Sequence, residues 1–213
     1  MTDADQFKHD LRLYLQDARD AFLWKLDGLS EYDIRRPLTP TGTNLLGLVK
    51  HVTGAEAFYL GTAFGRPVDA PALWITGDAE PNADLWATAD ESREEVVGRY
   101  RRVWAHSDAT VDAFGLDAVG VLPGEEGEGG PALSLHRVLV HLVAETQRHA
   151  GHADLVRELI DGAAGLRRGN EDMAPGDEAW WRRHRERVES AAREAGGRSA
   201  GEPVRRRRRP DAP

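Results

Sequence analysis

The sequence contains no cysteine. That removes disulfides, thiolate metal ligands and any protein thiol nucleophile, and it fits a reducing compartment. No apolar run approaches the roughly 20 residues that a membrane-spanning helix needs. The opening MTDADQFKHD is too polar for a signal peptide, so the expectation is a cytoplasmic protein without a membrane partner. Basic charge is also short where nucleic acid would require it. The formal net charge is −8, and the segment 196–213 carries six arginines against one glutamate and one aspartate, which leaves the body ahead of it at −12. An acidic body argues against nucleic-acid binding by the folded part. The glycine-rich stretch 115–131, with its run GEEGEGGP, has no basic residue and no phosphate-loop spacing, which argues against a nucleotide site and suggests a mobile connection. There are no internal repeats and no strand pattern.

What the chain does have is helical periodicity. Its 213 residues are 40% hydrophobic, enough for one core-bearing domain with a tail. Apolar residues recur at three- and four-residue spacing over 3–27 (Phe7, Leu11, Tyr14, Leu15, Ala18, Phe22, Leu26), with Gly28 to end the helix. A short turn and a proline-stopped loop follow over 30–40. A second helix is expected over 44–60, capped by Thr43 or Asn44, with Leu48, Val52, Ala55, Phe58 and Tyr59 on one face and His51 in the middle of it. Residues 61–87 form a long Gly- and Pro-punctuated connection holding Phe64, Trp74 and Trp86, either a lid over a site or a plain crossover between helices. A third helix is expected over 88–114, opened by the capping-box pattern Thr88–Glu91, with His106 on the surface.

The chain is organised around its next stretch, SLHRVLVHLVAETQRHAGHADLVRELI, expected as one helix over 134–161 with Ser134 as N-cap and Gly162 as stop. At about 100° per residue, His141, Glu145, His149 and His152 share an arc with Val138, Leu142, Val156 and Leu159. Polar groups on an apolar face must be satisfied there, because burying them unpaired costs several kcal/mol. A metal ion does this, and so does a hydrogen-bonded network. The spacing Glu145-x-x-x-His149 lets both side chains reach one ion. A last helix, with Trp180, Trp181 and Val188, is expected after Pro175 and covering a bundle edge. The Arg-rich tail from Gly196 is expected to be disordered.

Four long amphipathic helices imply an all-α four-helix bundle with long crossover connections and an extra C-terminal helix. The expected division is a bundle over 1–168, an accessory helix over 169–195 and a tail over 196–213. Facing helices of such a bundle offer His51, Glu145 and His149, two nitrogens and a carboxylate. Three ligands leave a coordination position open, as catalytic sites do. Without sulfur, zinc, nickel, manganese and ferrous iron all remain compatible.

The segments RRPLTPTGTNLLGLVKHV and SLHRVLVHLVAETQRHAGHADLVRELIDG resemble the DinB superfamily of metal-binding four-helix proteins, over about residues 7–168. The resemblance implies one ligand from the second helix, matching His51, and a pair four apart in the last bundle helix, matching Glu145 and His149. The carboxylate variant resembles the mycothiol-dependent maleylpyruvate isomerase branch, which implies zinc as the first choice of metal. Where that superfamily often has glutamine, this chain has His152. The implied chemistry is a metal-dependent transferase or isomerase that uses a low-molecular-weight thiol such as mycothiol on a small-molecule substrate. The implied assembly is a homodimer. Two alternatives stand beside it: an iron enzyme that activates oxygen at the same three ligands, and a non-catalytic metal-binding stress-response or dimerisation module. Around the ligands, His141 is a candidate to support Glu145. His152 is a candidate general acid or base. Arg148, Asn44 and Tyr59 are candidates to line the pocket and hold cosubstrate or substrate.

Overall fold

The computed structural model describes residues 2–68, 79–123, 129–167 and 173–199. The chain divides into two compact units, residues 1–172 and 173–213. The first is a four-helix bundle of α1 (Asp3–Trp24), α3 (Leu45–Glu56), α4 (Arg93–Ala113) and α5 (Leu135–Asp161), with the short α2 (Glu31–Arg35) between α1 and α3. The second contains α6 (Glu178–Ser199). There Trp180 stacks on His184 at 5.2 Å between ring centroids, with Trp181 edge-on to both. The helix runs to Ser199, past the Gly196 at which the tail was expected to begin; residues 200–213, with the five-arginine run, lie outside the described residues, as does Trp74.

Cross-helix contacts fix the directions of the bundle. Lys8, Arg12 and Arg19 on α1 meet Phe114, Asp112 and Asp108 respectively, so α1 and α4 are antiparallel. Lys50 meets Glu91 just ahead of α4, and Arg66, just beyond α3, meets Thr110, so α3 and α4 are parallel. A parallel pair cannot be joined by a tight turn, which accounts for the long connection between them as a crossover.

The helix ends follow the side chains available. Asn44 caps α3 by accepting from the Gly47 N–H at 2.8 Å, and Ser134 caps α5 by accepting from the Arg137 N–H at 3.2 Å. Gly162 ends α5 in the left-handed conformation at φ 79°. The capping box of α4 is Ser92–Glu95, four residues beyond the expected one; Thr88 and Glu91 instead close a local turn, with the Thr88 N–H donating to Glu91 Oε2. The second expected helix is interrupted. After Glu56 it widens into a π-turn over Ala57–Gly61 and then tightens into a 3₁₀ turn over Thr62–Phe64. The extra residue shifts the helical phase, so Leu60 enters the core while Phe58 and Tyr59 are only half-buried.

Two further corrections concern the chain between α3 and α5. The flanks of the glycine-rich stretch ahead of α5, expected to be mobile and without strands, form an antiparallel hairpin of β1 (Val119–Pro123) and β2 (Gly129–Ser134). β1 passes so close to the 3₁₀ turn that a Cβ on Gly120 would sit 2.9 Å from the Ala63 carbonyl oxygen and 3.0 Å from the Phe64 ring, so only glycine fits. His106, expected at the surface, is half-buried, its Nε2 donating to the Arg66 carbonyl at 2.7 Å.

The core has two lobes. Phe22, Leu26, Leu45, Leu46, Val49, Val52, Tyr100 and Val156 build one; Leu15, Leu60, Val111, Val138, Leu139 and Leu142 build the other. Between them runs a polar layer. Arg19 lies between Leu15 and Phe22 in sequence, Glu56 between Val52 and Leu60, and Thr146 between Leu142 and Ala150; all three are buried.

The segment before α4 is pressed onto α3. The ideal Cβ of a residue at Gly47 would fall 1.8 Å from the Leu85 carbonyl oxygen. Gly47→Ala is therefore expected to cost about 1–3 kcal/mol by overpacking, read as a lower denaturation midpoint, and to push Leu85 off the helix.

Candidate metal centre

His51 projects from the middle of α3, and Glu145 and His149 from successive turns of α5. One ligand atom from each lies within 4.8 Å of the other two. Glu145 Oε1 is 2.9 Å from His149 Nε2 and 3.3 Å from His51 Nε2, and the two imidazoles meet edge to face at 4.5 Å between centroids. Zinc bonds of about 2.0–2.2 Å in a tetrahedral arrangement set neighbouring donors about 3.4 Å apart. The two separations from Glu145, 2.9 and 3.3 Å, are close to that, and the donor set fits a divalent ion of borderline character.

The arc read from the sequence is placed at the edge of the buried face, not in its middle. Val138, Leu142 and Val156 are buried, whereas His141, His152 and Leu159 are exposed. The three converging side chains lie between, 24% (His51), 25% (Glu145) and 14% (His149) exposed, so the cluster is reachable from one side.

The electrostatics at His149 and Glu145 favour the forms that ligate. Partial burial, with the nearby His51 adding to it, holds the His149 imidazole below its ordinary value; Glu145 opposes this without reversing it. Burial would raise the Glu145 carboxyl, but its contact with His51 and the charge and hydrogen bond of His149 bring it below the ordinary value. Near neutrality this favours a neutral imidazole at 149 and a carboxylate at 145, the protonation states that bind metal.

The other candidates are scattered. His152 stands on the open side with its Nδ1 3.4 Å from His149 Nδ1. His141 does not support Glu145, whose side-chain partners are His51 and His149; its ring lies instead 4.5 Å from that of Tyr59. Arg148 is exposed. Asn44 is buried and its amide is spent on the backbone of Gly42, Gly47 and Leu85, which makes it a clasp and not a pocket wall. The sequence reading missed Asp84. It sits in a 3₁₀ turn (Ala83–Leu85) and its Oδ2 accepts from His51 Nδ1 at 2.6 Å. The only available signal was a carboxylate inside a long connection already suspected of function.

The family model described as mycothiol-S-transferase matches residues 10–162. The chain belongs to the mycothiol-S-transferase family, a DinB-like family. All three converging residues fall inside the match. Among solved structures, one described as the conserved protein of a locus from Enterococcus faecalis superposes with a TM-score of 0.54 at 15% identity, covering 76% of this chain and 99% of that one. At that identity the likeness shows a shared fold. Among curated proteins there is no match. Among the described residues, no helix of this family member is long and apolar enough to cross a membrane.

Proposed function

We propose that this chain is a divalent-metal-dependent transferase that takes mycothiol as cosubstrate and acts on a small molecule, with His51, Glu145 and His149 holding the ion and zinc as the first choice of metal. The observation that carries this reading is the convergence of those three side chains inside the segment matched by a mycothiol-S-transferase family. When bound, a divalent ion supplies a Lewis acid that lowers the pKa of a thiol it meets. The chain has no cysteine, so that thiol comes from a cosubstrate. The protein's own part is to present its ligands in a fixed arrangement and to leave one side open to the incoming thiol and acceptor. The proposal gives His152, exposed beside His149, the role of carrying a proton to or from a substrate atom, and the exposed Arg148 that of meeting an anionic group. The reading places the protein in the cytoplasm, with the low-molecular-weight thiol pool. Exposed Phe7, Leu13 and Tyr14 on α1 keep a homodimer within it.

Protein purified without a metal-affinity tag is expected to contain close to one equivalent of a divalent metal by elemental analysis, and mycothiol is expected to titrate onto the metal-loaded form with saturation. Metal-free protein that cannot be loaded, or loaded protein indifferent to mycothiol, would count against the proposal. Iron content with oxygen consumption would favour the oxygen-activating alternative.

A further inference from the structure

We infer that Asp84 is the positioning residue for His51, holding its proton on Nδ1 and turning Nε2 toward Glu145 and His149. The inference rests on the metal-centre reading above and adds to it a residue outside the three ligands. Both ring nitrogens of His51 face a carboxylate oxygen: Nδ1 at 2.6 Å from Asp84 Oδ2, and Nε2 at 3.3 Å from Glu145 Oε1. An imidazole that gives one nitrogen to a metal must carry its proton on the other, and a carboxylate there fixes both tautomer and ring orientation. Among the described residues His149 has no such partner; its Nδ1 faces the exposed His152 at 3.4 Å. The two imidazoles are therefore unlike, and the effect belongs to His51.

The placement of Asp84 is over-determined. Its turn follows Asn82, which adopts the left-handed conformation at φ 64°, one that asparagine tolerates better than most non-glycine residues. The turn is then fastened along one stripe of α3. Asn44 Nδ2 donates to the Leu85 carbonyl at 3.1 Å, Gly47 lets that carbonyl approach the helix, and Lys50 Nζ donates to the Trp86 carbonyl at 2.7 Å. Positions 44, 47, 50 and 51 are consecutive contacts on one helix face, so the stripe that carries the ligand also carries the segment that orients it. An incidental surface carboxylate would not need three such attachments on its flanking backbone.

The test is a chelator-competition titration of the full chain with zinc, repeated with cobalt(II) for its absorption spectrum. Asp84→Ala is expected to weaken zinc binding about 10- to 100-fold and to alter the cobalt spectrum, while retaining stoichiometric binding. Asp84→Asn, which keeps an acceptor oxygen without the charge, is expected to lie between the two, and it decides the matter if the alanine variant does not fold. Zinc affinity equal to that of wild type in the folded variants, with only thermal stability changed, overturns this inference and leaves the metal centre standing. A wild-type chain that binds neither zinc nor cobalt overturns both.

Discussion

His149→Ala and Glu145→Gln should each abolish stoichiometric metal binding while keeping most of the helical circular dichroism. Each leaves two of three ligands, and the loss of a ligand that bonds the ion directly exceeds the tenfold to hundredfold typical of an outer partner. The affinity loss should therefore be several orders of magnitude. The fold should survive because neither side chain is part of a core lobe; both are partly exposed at the edge of the buried face of α5. His141→Ala serves as the comparison. It lies one turn earlier with its ring against Tyr59, and it should keep the metal. Loss of metal in His141→Ala but not in Glu145→Gln would move the site up the helix and out of register with the ligands implied by the family resemblance. The pH dependence has a definite direction. Protons compete with the ion for the imidazoles, so binding weakens as pH falls. Burial and the neighbouring His51 hold His149 below its ordinary value, so its proton begins to compete only at a pH lower than for a free imidazole, whose pKa is about 6.5. A binding curve followed by chelator competition from pH 8 to 5 would show this; one that falls away above pH 7 would mean that a different group governs the site.

The bundle was legible because its helices carry their apolar residues at helical spacing and end at recognisable caps; Ser134, Asn44 and Gly162 each do what their chemistry suggests. The three converging residues were legible for a related reason. Polar side chains beside an apolar stripe are expensive unless they meet a partner, and the spacing of Glu145 and His149 lets them share one; the resemblance to the family is what set these two apart from His141 and His152 on the same arc. What could not be read depends on distant partners. Asp84 is 33 residues from His51, and nothing local marks it as an orienting group. The hairpin was hidden because its strands are short and rich in Gly and Pro, and β1 is shaped by its seat against Ala63 and Phe64. Arg19, Lys25 and Lys50 look like ordinary surface charges of amphipathic helices, yet all three are buried. A charged residue gives no local sign of burial when its counter-ion comes from another helix.

Arg19 carries the largest stability prediction. Its guanidinium reaches Glu56 with two nitrogens, adds Asp108 and Gln16, and lies against the Trp104 ring, all in the polar layer between the two core lobes. Glu56 is fully enclosed, and burial pushes its carboxyl above the ordinary range even with Arg19 beside it. Arg19→Met strands that carboxylate, and breaking one side of a buried pair costs about 3–5 kcal/mol, measured by urea denaturation at neutral pH. Replacing both partners, as Arg19→Met with Glu56→Leu, should recover most of the loss, because no uncompensated charge remains in the layer. The pH dependence separates this account from simple loss of packing. A carboxyl whose folded pKa lies above its unfolded value of about 4.3 contributes stability that is fully present below that value and lost as pH rises through the folded pKa. Removing Arg19 takes away the charge that holds Glu56 down, so the folded pKa rises further and the loss on going to high pH deepens. The stability gap between Arg19→Met and wild type should therefore be wider at pH 8 than at pH 5. A gap that stays constant across that range would assign the cost of Arg19→Met to packing against Trp104, not to the stranded charge at Glu56.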